Sequence, residues 1–326
     1  MSSPPCLTIA QAVAHAQARG LDRLDAQLLT LHAAQRAQDE RAWLIAHDTD
    51  VLLPAQQAVW EALIHARVAG QPLAYLVGEK AFFGLTLHVC PDVLVPRPDT
   101  ETLVEWALDV LAAQGLVLNA SAPITTPPLT APFTSPLTSP VTSPLTPACA
   151  PHVLDLGTGS GAVALAIKAH AALAQVSAVD ASAPALAQAA ANGTRLGLDV
   201  RWQLSNWFEG VAEQSFDLVV SNPPYIELSD PHMAQLQFEP ASALTSGVDG
   251  LDDIRTIIDL APAHLRPQGW LLLEHGWKQA DAVAQLLTLR GFKHVQTRRD
   301  LGGNQRCTGG QWVNATPIHK QATDME

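Results

Sequence analysis

Cysteine is scarce and scattered: Cys6, Cys90, Cys149 and Cys307 form no C-x-x-C pair in a chain of 326 residues. A protein of that length builds a core without staples, so neither disulfides nor a zinc site are expected, and a reducing cytoplasm fits. Basic residues are also few, 19 Lys and Arg against 31 Asp and Glu, for a net charge of -12. A surface that acidic repels a phosphate backbone unless a local basic patch overrides it, so direct nucleic-acid binding is not expected. A protein partner or a small cationic ligand suits it, and charge alone does not choose between them. No stretch approaches 18 uncharged apolar residues, and the opening MSSPPC has no basic region followed by an apolar one. The expectation is therefore neither secretion nor membrane insertion.

What is present divides unevenly. Hydrophobic residues make up 48% of the chain, and its length is about twice that of a typical domain, which suggests a catalytic domain with a smaller companion. From Leu7 to about Gly70, Ala, Leu and Gln dominate, and apolar residues recur at helical spacing in LDRLDAQLLTLHAAQ and PAQQAVWEALIHARVAG. Three to five short helices are predicted, giving an N-terminal helical domain over residues 1–73 that ends where Gly70, Gln71 and Pro72 break the pattern. Aromatic and β-branched residues after Gly84 predict a hairpin linker over 74–98. A second domain then occupies 99–326. It opens with a helix through DTETLVEWALDVLAAQG, for which Asp99 or Thr100 is the predicted N-cap.

Residues 116–150 break the composition, with T-S-P-x repeated three times in succession. Prolines at this density forbid helix and interior strand, so a disordered or polyproline-like insertion with no required function is expected. From His152 onward short apolar strands alternate with helices: VLDL, QVSAVD, VRWQLS, FDLVVS and GWLLLE, then a final pair through KHVQTRR and CTGGQWV. That alternation predicts an α/β fold, a parallel sheet covered by helices on both faces, with an antiparallel edge where the last two strands lack an intervening helix.

Between the first strand and its helix lies Asp155-x-Gly157-x-Gly159-x-Gly161, with Thr158 and Ser160 between the glycines. Such a turn brings backbone close to a ligand at a helix N-terminus. Dinucleotide sites space their glycines G-x-G-x-x-G, whereas this turn reads G-x-G-x-G. Asp155 would face a pyrophosphate unfavourably, yet it can pair with, or order water around, the cationic part of S-adenosyl-L-methionine, which is the better reading. Asp180 ends the second strand about twenty residues later, where a carboxylate can accept ribose hydroxyls or simply be solvated. Trp207, just past the third strand, suits adenine packing and suits a core position equally.

Asn222-Pro223-Pro224-Tyr225 follows FDLVVS directly and so sits at a strand's carboxyl end, where open α/β sheets bind ligands. An amide nitrogen is a poor nucleophile because its lone pair is delocalised. The Asn222 side-chain oxygen and the Pro223 carbonyl can each accept one amide hydrogen, holding the nitrogen toward a sulfonium methyl. Consecutive prolines fix φ and carry no N–H, and Tyr225 can lie against a planar substrate amide. No histidine is needed as a base.

With VLDLGTGSGAVALAI and SNPPYI together, the chain resembles the HemK/PrmC family of protein glutamine methyltransferases. GQPLAYLVGEKAFFG, VLVPRPDTETLVEWAL, NWF and EPASALTSGVDGLDDIRTII extend the resemblance over nearly the whole chain outside 116–150. It implies a seven-stranded Rossmann-like class I methyltransferase domain behind a small helical substrate-docking domain. Gly157, Thr158, Gly159, Ser160, Gly161, Asp180, Trp207 and Asn222 would contact S-adenosyl-L-methionine, and Asn222, Pro223, Pro224 and Tyr225 the substrate glutamine. The implied partner is a class I peptide chain release factor, modified on its Gly-Gly-Gln loop by a monomeric enzyme.

A sibling family acting on a ribosomal protein usually carries PRSPI where this chain has Pro96-Arg97-Pro98-Asp99-Thr100-Glu101, which favours the release-factor branch. Asp99 replaces the usual Glu, and the ending CTGGQWVNATP departs from the family pattern. Two rivals stand beside this reading: an adenine amino-methyltransferase on DNA, and a silent scaffold that keeps the fold. Gly309-Gly310-Gln311 repeats the substrate tripeptide, and as part of an edge strand it is expected to be a coincidence of composition.

Overall fold

Helix-forming residues dominate the first seventy positions, and the computed structural model, which describes residues 6–115 and 150–313, folds them accordingly. Helices α1 (Ile9–Ala18), α2 (Arg23–Ala33), α3 (Arg41–Ala46) and α4 (Pro54–Val68) bury Leu29, Leu31, Trp60 and Ile64 in one shared core. Their starts are encoded locally. Thr8 and Gln11 close a reciprocal cap on α1 at 3.2 and 3.0 Å, and Asp22 accepts the Asp25 N–H at 2.8 Å on α2. Pro54 opens α4, where its missing N–H costs nothing.

The hairpin expected after residue 74 begins later. A short helix, α5 (Leu73–Val77), comes first and is closed by Gly78 at φ +78°. The hairpin itself is β1 (Glu79–Phe82) and β2 (Leu85–His88), joined by Phe83 and Gly84 at φ 45° and 76°, the left-handed pair that tight hairpins require. The described residues divide into two compact units: one comprises the chain to Lys80 with His88–Val95 and Pro231–Pro240, the other the remainder. The Pro/Ser/Thr-rich stretch at 116–150 lies outside the described residues except for Ala150.

In the second unit, α6 (Glu101–Ala113) precedes β3 (His152–Leu156), α7 (Ala162–His170), β4 (Gln175–Asp180), α8 (Ala183–Leu196) and β5 (Arg201–Leu204). Then come β6 (Phe216–Ser221), α9 (Asp252–Leu260), β7 (Leu265–Glu274), α10 (Ala280–Arg290), β8 (Lys293–Arg299) and β9 (Gln305–Trp312). Helix α9 stops at Leu260 because Pro262 cannot continue it, and a 3-10 turn at Ala261–Ala263 follows.

The sheet has seven strands in the order β5-β4-β3-β6-β7-β9-β8, parallel except where β9 meets β7 and β8. Successive residues along each central strand face opposite ways. Val153, Leu218 and Val220 pack under α6 and α7, whereas Leu154, Leu156 and Val219 join α9 and α10.

One expectation needs correction. Strand β9 is interior, flanked on both sides, and the edge is β8. The reason for the glycines of Gly309-Gly310-Gln311 is packing: a Cβ on Gly309 would lie 2.5 Å from a Leu272 methyl and 2.7 Å from the Leu271 carbonyl. Gln311 is tied to the Gln268 carbonyl at 3.1 Å.

Candidate functional site

The strand order reverses direction between β3 and β6, which is where an open sheet parts to admit a ligand. Leu156 pairs with Ser221 across these strands, so Gly157 and Asn222 leave the sheet side by side. The Ser221 hydroxyl donates to the Leu156 carbonyl at 2.7 Å and locks the two exits together. Asp180 leaves β4 on the other side of β3, since Leu156 also pairs with Val179. Asn222, Pro224 and Tyr225 are partly exposed there, while Pro223 is buried.

The glycine turn is held from beneath. Gly157 and Thr158 donate to the Val179 carbonyl, both at 2.9 Å, and Gly159 donates to Asp180 Oδ2 at 2.8 Å. Asp180 Oδ1 accepts the Ser182 N–H at 2.8 Å, so the carboxylate bridges the turn and the start of α8. The Asn192 side chain donates to the Ser160 carbonyl at 3.0 Å. Gly157, Gly159 and Gly161 all have positive φ, between 55° and 84°, which explains why glycine recurs at alternate positions.

Asp155 does not take the role read for it in the sequence. Its carboxylate is 1% exposed and folded inside the turn, where Oδ2 accepts the Thr158 hydroxyl at 2.6 Å and the Ala164 N–H at 3.2 Å. It staples the turn to α7 rather than facing a cation. Burial pushes its pKa from 3.8 up to about 7, against the pull of those two donors, with Asp180 adding a smaller upward push. Between these values the folded protein keeps a proton that the unfolded chain has lost, so this group makes folding less favourable as pH rises through about 7. The urea midpoint of the parent should fall, relative to Asp155→Asn, as pH is raised across that window; parallel pH profiles would exclude the shift.

Trp207 sits at φ 47°, a left-handed position unusual for a tryptophan. Ser205 fixes the bend: its hydroxyl donates to the Trp207 carbonyl at 2.8 Å and accepts the Gly210 N–H at 2.7 Å. The indole consequently lies against the glycine turn, 3.5 Å from where a Gly157 Cβ would stand. It is half-buried and packs partly on the core, as one of its two sequence readings expects.

Thr100 occupies the N-cap position of α6, as expected, but its side chain makes no cap hydrogen bond. The hydroxyl instead accepts the Asn222 side-chain N–H at 3.2 Å. Asn222 Oδ1 and the Pro223 carbonyl accept no hydrogen bond from the described residues. Two oxygen acceptors therefore stand together at the strand exit.

Behind them, on the next strand, Leu273 pairs with Ser221, so Glu274 runs alongside Asn222. Glu274 is 1% exposed; burial first, then Asp99, raises its pKa to about 7, countered by the Thr100 hydroxyl, Arg306 and the Tyr225 hydroxyl. The Tyr225 hydroxyl is 3.4 Å from Glu274 Oε1, and burial with that neighbouring charge pushes the phenol pKa upward. The Tyr225 backbone is pinned as well: its N–H donates to Leu244 at 3.2 Å, and its carbonyl accepts the Gln279 side chain at 3.1 Å. Glu274, Gln279 and Gly250 were not singled out from the sequence, and Thr100 was read there only as a helix cap. An acidic residue closing the apolar run of GWLLLE was the available signal for one of them.

Two family models match: PrmC N-terminal domain over residues 8–78 and Methyltransferase small domain over residues 139–247. A release factor glutamine methyltransferase of Bordetella pertussis strain Tohama I is 44% identical over 294 residues, spanning 89% of this chain and 95% of the relative. This chain belongs to that family. The release factor glutamine methyltransferases of Xylella fastidiosa strain Temecula1 and Pseudomonas aeruginosa strain PAO1 are 43% and 42% identical, each over 89% of this chain and over 94% and 93% of their own lengths. The family resemblance read from the motifs and the seven-stranded methyltransferase architecture are thus borne out. Among the described residues, no helix is long and apolar enough to cross a membrane, and no group of three or more His, Cys, Asp or Glu could hold a metal ion.

Proposed function

We propose that this chain transfers a methyl group from S-adenosyl-L-methionine to the side-chain amide nitrogen of the glutamine in the Gly-Gly-Gln loop of class I peptide chain release factors. The observation that carries this reading is the pair of acceptors at the β6 exit, Asn222 Oδ1 and the Pro223 carbonyl, beside the glycine turn of β3. The named relatives favour a release factor over a ribosomal protein or DNA adenine.

The turn suits the cofactor. A Cβ on Gly159 would meet nothing within 4 Å, so open space borders the backbone there, with the Asp180 carboxylate at one side and the Trp207 ring against Gly157. Gly157 to Gly161, Asp180, Trp207 and Asn222 would hold it. When bound, it supplies an electrophilic methyl group on a positively charged sulfur.

Each acceptor takes one hydrogen of the substrate carboxamide, which turns the nitrogen lone pair out of conjugation and fixes its direction. The Pro223 carbonyl resists swinging away because its peptide plane cannot turn without a change in φ of Pro224, which the ring locks. Tyr225, anchored at both its backbone and its hydroxyl, supplies a flat wall for the amide. The proton leaves to solvent after the nitrogen is alkylated, so no basic side chain is needed at the nitrogen.

The N-terminal helical unit, residues 1–73 in the sequence reading, docks the release factor; a separate family model over 8–78 supports an independent role for it. The enzyme acts as a cytoplasmic monomer on a protein, and a net charge of -12 supports the exclusion of nucleic acid. Mass spectrometry of unmethylated release factor incubated with enzyme and cofactor tests the whole proposal. One added methylene is expected on the glutamine of the Gly-Gly-Gln loop, and modification confined to any other residue overturns it.

A further inference from the structure

A carboxamide has two ends of nearly equal size, and only its oxygen can accept a substrate N–H. Shape alone therefore does not decide which end of Asn222 meets the substrate; its hydrogen bonds must. The far end of Asn222 meets a hydroxyl rather than a second amide or a carboxylate, and a hydroxyl can either donate or accept. What Thr100 does with its own proton consequently sets the orientation of Asn222.

The proton is directed away from Asn222. The Thr100 oxygen accepts the Asn222 N–H at 3.2 Å, which leaves the Thr100 proton to another acceptor, and the buried Glu274 carboxyl is the neighbouring group on which that hydroxyl acts. Glu274 is itself fixed, 1% exposed at the end of a central strand and in register beside Asn222. Its Oε1 lies 3.4 Å from the Tyr225 hydroxyl, while Oε2 has no partner among the described residues. A buried acid left that incompletely satisfied is costly to the fold, which argues that it serves the site above it. Arg306 bridges Asp99 at 3.0 Å and Asp300 at 3.1 Å close by, and its charge acts on Glu274.

We propose that Glu274 and Thr100 are positioning residues, a hydrogen-bond relay that holds the Asn222 carboxamide with its oxygen toward the substrate and its nitrogen toward the protein. The relay rests on the reading of Asn222 as an acceptor for the substrate amide. Without the Thr100 hydroxyl the Asn222 amide loses its reference and spends part of its time with N–H pointing at the substrate's own N–H, where no hydrogen bond forms. Replacing Glu274 by Gln places an NH₂ where an acceptor stood, which invites Thr100 to reverse its donation and turn Asn222 over.

The test is kcat and KM for methylation of an unmethylated release factor, with cofactor affinity by calorimetry, in Thr100→Val, Thr100→Ser, Glu274→Gln, Asn222→Ala and the Thr100→Val/Glu274→Gln double variant. Thr100→Val keeps volume and loses the hydroxyl; kcat should fall about 10- to 100-fold with cofactor affinity within about threefold of the parent. Thr100→Ser keeps the hydroxyl and loses a methyl group; its kcat should stay within about threefold. A packing role predicts the reverse ranking, and finding Ser worse than Val overturns the relay. Glu274→Gln should lower kcat, and the double variant should lose no more than Thr100→Val alone, because both act through one amide. Should Asn222→Ala lose activity while Thr100→Val and Glu274→Gln turn over at the parental rate, the relay is wrong and the acceptor reading stands. Parental turnover in Asn222→Ala removes both.

Discussion

Asn222→Ala should lower kcat by about 10²- to 10³-fold, the scale on which enzymes lose rate when one preorganised polar group is removed from the reacting centre. Its affinity for S-adenosyl-L-methionine should fall only modestly, because Asn222 would be one contact among several and the turn that would hold the cofactor is fixed by Asp180, Val179 and Asn192. The size of the effect follows from the nucleophile. A carboxamide nitrogen reacts only while its lone pair is held out of conjugation, and with alanine one of two acceptors is gone. The Pro223 carbonyl alone leaves the amide free to rotate about a single hydrogen bond. Steady-state kinetics beside calorimetry measure the two quantities separately, and a kcat near the parental value would refute the amide-holding role.

The second large effect is expected at a glycine outside the tetrapeptide. Gly250 has φ 72°, and a Cβ there would stand 2.2 Å from the Tyr225 carbonyl oxygen and 2.7 Å from the Gln279 side-chain nitrogen that binds it. Gly250→Ala must therefore displace the end of Asn222-Pro223-Pro224-Tyr225 or break the Gln279 contact. A displacement near 1 Å at a reacting centre costs about 10²-fold in rate. The matched control is Gly303→Ala, also at positive φ, 82°, but with nothing within 4 Å of the added carbon. It should lose some stability through backbone strain and keep its kcat. Equal kcat values in the two variants would mean that the tetrapeptide tolerates movement.

Much of this site was legible in the sequence because its signals are local. Glycines at alternate positions after an apolar strand, and two prolines after another, announce backbone shapes that neighbouring residues enforce. Asp180 and Trp207 were placed correctly at strand exits, because a strand's end can be read where its apolar run stops. The groups that hold the tetrapeptide were not legible. Thr100 stands 122 residues from Asn222, and at a helix start a threonine hydroxyl reads as a cap. Gly250 meets Tyr225 from the loop before α9, and Gln279 only after the chain has returned through β7 to the start of α10. Asp155 was misread for the opposite reason. Its partner Thr158 is only three residues away, yet whether the carboxylate faces the ligand or the turn depends on burial that spacing does not encode. Strand β9 was set at the edge because chain order suggested it, whereas β8 takes that place.

The consecutive prolines have one more effect, on what the site refuses. Pro223 and Pro224 offer no N–H, so the strand exit shows substrates oxygen without hydrogen. A glutamine converted to glutamate by deamidation brings two anionic oxygens to that mouth and finds repulsion where its amide parent found a grip. On the proposed role of these acceptors, the enzyme should ignore the aged form of its target, and do so without a charged gatekeeper.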